Sequence, residues 1–201
     1  MRTRTKGLYA AAVGLATTGA LVLSSGGASG HGYTDLPVSR QKMCQNGMVT
    51  NCGNIQWEPQ SVEGPKFPSG GPADGRICSA GNTSFAQLDS PRTPSGGAWP
   101  TTRVTGGQNY TFRWQFTAMH ATTDFKYYVT KPGWNQDRAL TRADLNLTPF
   151  LTVPYGGQRP PQTLSHSGQL PSGLSGHHVV LAVWTVHDTG NAFYACSDVT
   201  F

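Results

Sequence analysis

Residues 110–117 read YTFRWQFT, and every second residue in this stretch is aromatic. Successive side chains of a β-strand point to opposite faces, so Tyr110, Phe112, Trp114 and Phe116 are predicted to share one face of a strand. The run HVVLAVWTVH, residues 178–187, is rich in β-branched residues and predicts a second, more deeply buried strand. These two stretches indicate a core built from β-sheet.

Shorter runs of the same kind lie on either side of these two, separated by Gly, Pro and Asn turns. The further predicted strands are Tyr33–Val38, Phe125–Thr130, Phe150–Val153 and Phe193–Phe201. Several short strands at such spacing predict an all-β fold, an antiparallel β-sandwich. Residues 40–100 lack this patterning and are rich in Gly, Pro, Asn and Ser. A bare loop of that length is uncommon in a compact domain, so we expect a functional, partly helical insertion there.

The start of the chain has the layout of a secretory signal peptide, predicted to span residues 1–30. A basic start precedes an apolar stretch, residues 8–23, which is too short and too weak to span a membrane. Ala28 and Gly30 then form an A-x-G cleavage site. Cleavage there would make His31 the first residue of one mature domain, 31–201, and predicts an extracellular protein.

The charge balance excludes some partners. The whole chain has 15 basic and 10 acidic residues, a net charge of +5, and three of the basic residues, Arg2, Arg4 and Lys6, belong to the signal. The mature part is therefore close to neutral, at +2. It contains no basic run that would favour nucleic acid and no second hydrophobic segment that would favour a membrane anchor.

All four cysteines lie in the mature part, and an even number in an exported chain predicts two disulfides. Of the three possible pairings, the eight-residue separation favours Cys44–Cys52. Cys78–Cys196 would then tie the last strand to the insertion. A zinc site is disfavoured, because the chain has no C-x-x-C pair.

An N-terminal histidine carries both a free α-amine and an imidazole, so His31 would offer a metal two nitrogens after cleavage. His120 follows the 110–117 strand and would offer a third nitrogen. Three nitrogens suit a tetragonal Cu(II) ion. On spacing alone, however, a histidine at a strand end is more often an ordinary surface residue. That ordinary interpretation is kept for the four other histidines, which are His166, His177, His178 and His187.

Short motifs follow one another along the whole mature chain. They are His31-Gly32-Tyr33, Pro37-x-Ser39-Arg40, Cys52-Gly53, the run from Gln56 to Gly64, the run from Gly71 to Gly75, Thr117-Ala118-Met119-His120, Tyr128-x-Thr130-Lys131-Pro132-x-Trp134, Val183-Trp184 and Asp188-Thr189-x-Asn191-Ala192-Phe193-Tyr194. In order and spacing they resemble the bacterial, chitin-binding-type lytic polysaccharide monooxygenases of auxiliary activity family 10.

The resemblance implies an immunoglobulin- or fibronectin-III-like sandwich holding one copper ion in a histidine brace formed by His31 and His120. Phe193 matches an aromatic residue that stands at one axial face of the copper and does not coordinate it. Ala118 matches a small residue that restricts the other axial region. Glu63 matches a carboxylate that approaches the open copper position.

The resemblance also implies a flat face that binds polysaccharide. The residues that match substrate-side or neighbouring positions are Trp57, Glu58, Glu63, Thr117, Asp188 and Asn191. Trp57 stands where chitin-active members usually carry Tyr; both are flat aromatics that stack on sugars. The implied reaction is oxidative cleavage of β-1,4 bonds in crystalline chitin, with C1 oxidation preferred. It uses H2O2 or O2 and an external electron donor, and the implied protein is a monomer that acts beside chitinases.

Three other functions remain open at this point. Cellulose is an alternative substrate. A noncatalytic chitin-binding protein would need Trp57 but not His31, and a copper carrier would need no aromatic face. A hydrolase is disfavoured, because Glu58 and Glu63 lack any acid–base pattern beyond their proximity.

Overall fold

The computed structural model describes residues 30–201, so the predicted signal peptide, apart from Gly30, lies outside the described residues. The strands are β1 (His31–Leu36), β2 (Glu63–Pro65), β3 (Thr102–Arg103), β4 (Asn109–Ala118), β5 (Thr122–Val129), β6 (Leu151–Gln158), β7 (Thr163–Gln169), β8 (His177–Val186) and β9 (Asn191–Thr200). One α-helix, α1, spans Arg40–Gln45, and three 3-10 turns span Gly53–Gln56, Thr83–Asp89 and Arg142–Asp144.

The strands form two sheets. The smaller sheet has the order β1-β4-β7, and the larger has the order β2-β9-β8-β5-β6 with β3 added beside β9. All pairings are antiparallel except that of β3 with β9. The predicted two-sheet sandwich with a long, partly helical insertion is therefore confirmed.

The alternation in residues 110–117 works as predicted. Phe112, Trp114 and Phe116 are at most 2% exposed and face the larger sheet. Tyr110, at the edge, is only partly buried and packs edge-on against Phe112. The smaller sheet thus covers one face of the larger sheet with a layer of aromatic side chains.

The larger sheet is buried on both faces, which explains why β8 reads as a continuous apolar run rather than an alternating one. Alternate residues of β8 belong to different cores: Leu181 and Val183 pack against the insertion, and Ala182 and Trp184 pack against the smaller sheet. The same division runs through β9. We call the two groups the insertion core and the sandwich core.

Both predicted disulfides, Cys44–Cys52 and Cys78–Cys196, are present. The second joins the insertion to β9. The helix α1 is anchored by a buried ion pair in which Arg40 donates to both carboxylate oxygens of Asp198, at 2.7 and 2.9 Å. The insertion is therefore fixed to the sheet by a covalent link and an ion pair.

Three strands were not predicted. β2 and β3 are only three and two residues long, so neither has room for a periodic pattern. β7 spans TLSHSGQ, whose side chains are mostly polar and exposed because it is an edge strand. Within the described residues, no helix is long and apolar enough to cross a membrane.

Candidate metal and polysaccharide site

The predicted site residues meet at one end of the sandwich, because the register of the strands places them there. The start of β1 lies beside the end of β4, with His31 paired to Ala118. The start of β9 lies beside β2, with Phe193 paired to Glu63. His120 follows β4 by two residues and so reaches the same end.

The backbone before His31 lies against the other two key side chains. A Cβ added to Gly30 would stand 3.1 Å from the Cβ of His120 and 3.3 Å from Cε2 of Phe193. The rings of His31 and Phe193 have centroids 6.3 Å apart. Since the α-nitrogen of His31 is bonded to the Gly30 carbonyl, this nitrogen comes to the same small space as His120 and Phe193.

Trp184 is a member of this cluster that the sequence-based site prediction omitted. It pairs with Phe193 across β8 and β9, and the two rings stack with centroids 4.7 Å apart. Its indole donates to Thr122 at 2.7 Å, and both Trp184 and Phe193 are fully buried. The aromatic wall of the site is thus continuous with the sandwich core. Its signal in the sequence was the Val183-Trp184 motif, which predicted membership of the family but no role.

His120 is held by a carboxylate. Its Nε2 lies 2.7 Å from Oδ1 of Asp188, and the Asp188 side chain is 56% exposed. The hydrogen bond from His120 lowers the pKa of Asp188 below its usual value. Because Asp188 faces solvent, it can turn away and release the ring nitrogen without disturbing the core.

Glu63 is fixed by its neighbours in β2 and β9. The amide of Asn191 donates to Oε1 of Glu63 at 2.7 Å, and the backbone N–H of Asn191 donates to Thr189 Oγ1 at 3.1 Å. Gly64 follows Glu63 in β2, and a Cβ there would collide with the backbone carbonyl of Ala80. The position of Glu63 therefore depends on close backbone packing as well as on one side-chain hydrogen bond.

The segment before Glu63 brings exposed side chains to the same end. The backbone N–H of Gly32, next to His31, donates to the carbonyl of Gln60 at 3.0 Å. Three residues before Gln60, Trp57 is 77% exposed, far more than other tryptophans of the described chain. An indole this exposed offers a flat apolar face that is free to stack on a ligand.

The remaining predicted substrate-side residues are also at the surface. Glu58 and Thr117 are exposed, and Ala118 is partly exposed. Glu58, Thr117 and Ala118 are near neighbours in sequence of Trp57 or His120, so all the predicted site residues gather at one end.

The other histidines fit the ordinary interpretation. His166 and His178 are buried, and His177 is partly buried and bonded to Asp198 at 2.8 Å. His187 is exposed at the same end as the site, where its Nδ1 lies 3.3 Å from Thr123 Oγ1.

The donor set fits a metal only after cleavage. Within residues 30–201, no three side chains of His, Cys, Asp or Glu are grouped as a metal site. Two imidazoles at one place need a third donor, and the α-amine of His31 would supply it beside His120. This donor set would have three nitrogens and neither a thiolate nor a cage of carboxylates. Among the first-row divalent ions, copper binds such a set most tightly.

Comparison with known proteins identifies the family. Residues 31–199 match the family model described as "Lytic polysaccharide mono-oxygenase, cellulose-degrading". An AA10 lytic polysaccharide monooxygenase from Streptomyces lividans is 82% identical, with a TM-score of 0.85 over 85% of this chain and all of that chain. A Bacillus amyloliquefaciens CBM33 in complex with Cu(I) is 39% identical, with a TM-score of 0.73 over 85% of this chain and 99% of that chain.

A GlcNAc-binding protein A from Shewanella oneidensis is 46% identical over 94% of this chain and 39% of its own length. The chain thus spans about half, or less, of the length of the curated relatives it matches first. The match of the family model over nearly all described residues, together with the high identity to an AA10 structure, gives the family directly. The chain belongs to the AA10 lytic polysaccharide mono-oxygenases.

Proposed function

We propose that the mature protein binds one copper ion through the α-amine and ring of His31 and the ring of His120, and oxidatively cleaves crystalline chitin. One observation supports this most: the Gly30–His31 peptide lies against His120 and Phe193. Removal of the signal after Gly30 would free an amine in that small space. The Cu(I) complex of the Bacillus neighbour supports copper as the metal.

The aromatic wall gives this site its asymmetry. Phe193 has no donor atom and would not ligate a metal held by His31 and His120, and Trp184 behind it keeps the ring in place. Ala118, paired to His31, would restrict access on the other side of the metal. When bound, copper supplies the one-electron redox chemistry that activates H2O2 or O2 with electrons from an external donor.

Glu63 acts on the oxygen co-substrate from the open side. Its Oε1 accepts from the Asn191 amide, so Oε2 is the atom left to accept a hydrogen bond from the H2O2 co-substrate or from water. A carboxylate held in this way positions a proton at a fixed place without reorganisation during the reaction. Asp188 orients the ring of His120 through Nε2, a ring nitrogen that would be available to ligate the metal once Asp188 turns away.

Chitin is the substrate that we favour, with attack at C1. Trp57 would stack on a sugar ring, while Glu58 and Thr117 would bond the polar groups around it. The GlcNAc-binding relative supports a chain of N-acetylglucosamine as the ligand. We place the protein outside the cell as a monomer that binds insoluble chitin and opens it to chitinases.

Mass spectrometry of the products tests the proposal. The mature protein, loaded with copper and given ascorbate and H2O2, should release oligosaccharides ending in aldonic acid from β-chitin. His120→Ala should weaken copper binding strongly, because only the two nitrogens of His31 remain, and should abolish the product. The matched control is His187→Ala, because His187 is an exposed histidine at the same end that takes no part in the proposed brace. Full copper loading with no oxidised product from chitin would refute the chitinolytic proposal.

A second experiment tests the role of the cleavage itself. A protein that starts at Gly30 carries an amide where the metal needs an amine. Calorimetric titration with Cu(II) should show at least a hundredfold weaker binding than in the protein that starts at His31, since one of the three nitrogen ligands is lost and His31 can no longer chelate the metal through its α-amine and ring together. Equal affinities would remove the α-amine from the ligand set.

Cellulose is the second candidate substrate, and the description of the matching family model favours it. Parallel incubations with chitin and cellulose decide between the two by which polymer yields oxidised ends. The third candidate is a noncatalytic binding protein. In that case the wild type and His120→Ala would bind chitin equally well, and neither protein would produce oxidised ends.

A further inference from the structure

Few large apolar side chains of the described chain are exposed, and one of them adjoins the site. These side chains are Met48, Trp57, Met119 and Leu147. Met119 is 41% exposed and lies between Ala118, which pairs with His31, and His120. Its thioether is therefore on the rim of the proposed copper site, on the same end of the molecule as the exposed Trp57.

A methionine in this position has two properties. Its flexible, polarisable side chain makes apolar contacts with surfaces of irregular shape. It is also oxidised by peroxide to a sulfoxide, which turns an apolar contact into a polar one and is reversed by methionine sulfoxide reductases. Trp57 and Leu147 have no thioether, so among the exposed apolar groups only a methionine responds in this way.

We propose that Met119 is a peroxide-sensitive contact of the polysaccharide-binding face, and that its oxidation weakens binding to chitin. This inference rests on the proposed function. In the step, a lone pair of Met119 Sδ attacks one oxygen of H2O2 and the O–O bond breaks. The sulfur loses two electrons and gains that oxygen, and the other oxygen leaves as water after proton transfer. No metal or further reductant takes part.

The other methionines of the mature chain provide internal controls. Met43 is completely buried in the insertion core. Met48 is 54% exposed but lies in the loop closed by the Cys44–Cys52 disulfide. In this loop, Oγ1 of Thr50 lies 3.4 Å from Oγ of Ser95. Met48 therefore reports accessibility to peroxide, Met43 reports protection, and Met119 alone adjoins His120.

The test uses the copper-free mature protein treated with H2O2 and no reductant. Peptide mass spectrometry should show one added oxygen on Met119 and on Met48, and none on Met43. Adsorption isotherms on β-chitin should then show about threefold to fivefold weaker binding, as expected for loss of a partly buried apolar contact. Treatment with methionine sulfoxide reductases should restore the original affinity.

Two variants test whether oxidation of Met119 itself causes the loss of affinity for chitin. Met119→Leu keeps an apolar side chain of similar volume but has no thioether, so its own affinity for chitin should be the same before and after peroxide. Met48→Leu should lose affinity as wild type does. An equal loss in Met119→Leu would overturn the proposal and place the effect on another group such as Trp57. So would a Met119 that stays unoxidised while Met48 reacts. Untreated wild-type protein that does not adsorb to chitin at all would refute the proposed function first, and this inference with it.

Discussion

The insertion core and the sandwich core share β8 and β9 as a common wall, yet they are built differently. The sandwich core is a stack of aromatic rings supplied by regular strands. Its rings are Phe112, Trp114, Phe116, Phe125, Tyr127, Trp184 and Phe193. The insertion core contains all four cysteines and short helical turns, and apart from those on the larger sheet its side chains come from segments with little periodicity.

The difference shows how each half obtains its stability. Regular strands satisfy their backbone groups in the sheet and bury large rings, so the sandwich core is fixed by secondary structure. The insertion lacks such strands and is fixed by cross-links and by packing on the sheet. The proposed site lies where the two halves meet. Phe193 belongs to the sandwich core, and Glu63, which pairs with it, lies in β2 within the insertion.

Removing the long disulfide should have the largest effect on stability. Cys78→Ser together with Cys196→Ser opens a loop of 118 residues, which costs about 5 kcal/mol in the chain-entropy model. Removing the Cys44–Cys52 bridge, with a separation of eight, should cost only about 2.5 kcal/mol by the same model. Urea denaturation of both pairs of variants measures the difference. Equal losses would show that loop length does not set the contribution of these bridges.

Gly64 tests how much the close packing of β2 against Ala80 contributes to stability. Gly64→Ala places a Cβ against the carbonyl of Ala80, so β2 must move away from it. Overpacking of this kind costs about 2 to 3 kcal/mol. The matched control is Gly190→Ala, because a Cβ on Gly190 meets nothing within 4 Å. If the melting temperature falls equally in both variants, the close approach of β2 to Ala80 makes no special contribution to stability.

His166 tests the sandwich core through pH. It is 6% exposed, its Nδ1 lies 2.7 Å from the Tyr127 hydroxyl, and burial lowers its pKa to about 4. As the pH falls from 6.5 toward 4, the unfolded state gains a proton that the folded state refuses, so stability decreases. The full shift corresponds to about 3 kcal/mol, of which solvent screening leaves about 2 kcal/mol.

Chemical denaturation at pH 7 and at pH 4.5 measures this loss. His166→Gln can still accept from Tyr127 but does not titrate, so its stability should fall less over the same interval. A variant that loses as much as the wild type would assign the pH dependence to other groups.

The same division explains what the sequence could predict. The aromatic alternation of residues 110–117 and the apolar run of β8 follow from periodicity, so most sandwich strands were predicted within a few residues. β2 has no periodicity, because its three residues are held by Phe193 opposite and Ala80 behind. The resemblance placed Asp188 near the site, but no pattern in the residues indicated that it would bond His120, because that contact joins two loops 68 residues apart.

The smallest effect is expected at the contact that joins Asn191 to Glu63. Loss of a hydrogen bond to a carboxylate costs about 1.5 kcal/mol. Asn191→Ala should therefore lower the rate of chitin oxidation about tenfold, with adsorption to chitin and melting temperature nearly unchanged. Asn191→Asp should be slower still, because it places a second negative charge where the amide stood, 2.7 Å from Oε1.

The expected order of activities, with Asn191→Ala above Asn191→Asp, distinguishes a side chain that positions Glu63 from one that only fills space. A side chain that only fills space would be replaced better by Asp, which has almost the shape of Asn, than by Ala. A side chain that holds Glu63 by donation is replaced worse by Asp, since the donor is lost and repulsion is added. If Asn191→Asp retains more activity than Asn191→Ala, Glu63 is held by the β2–β9 backbone alone, and the insertion reaches the site without help from a side chain.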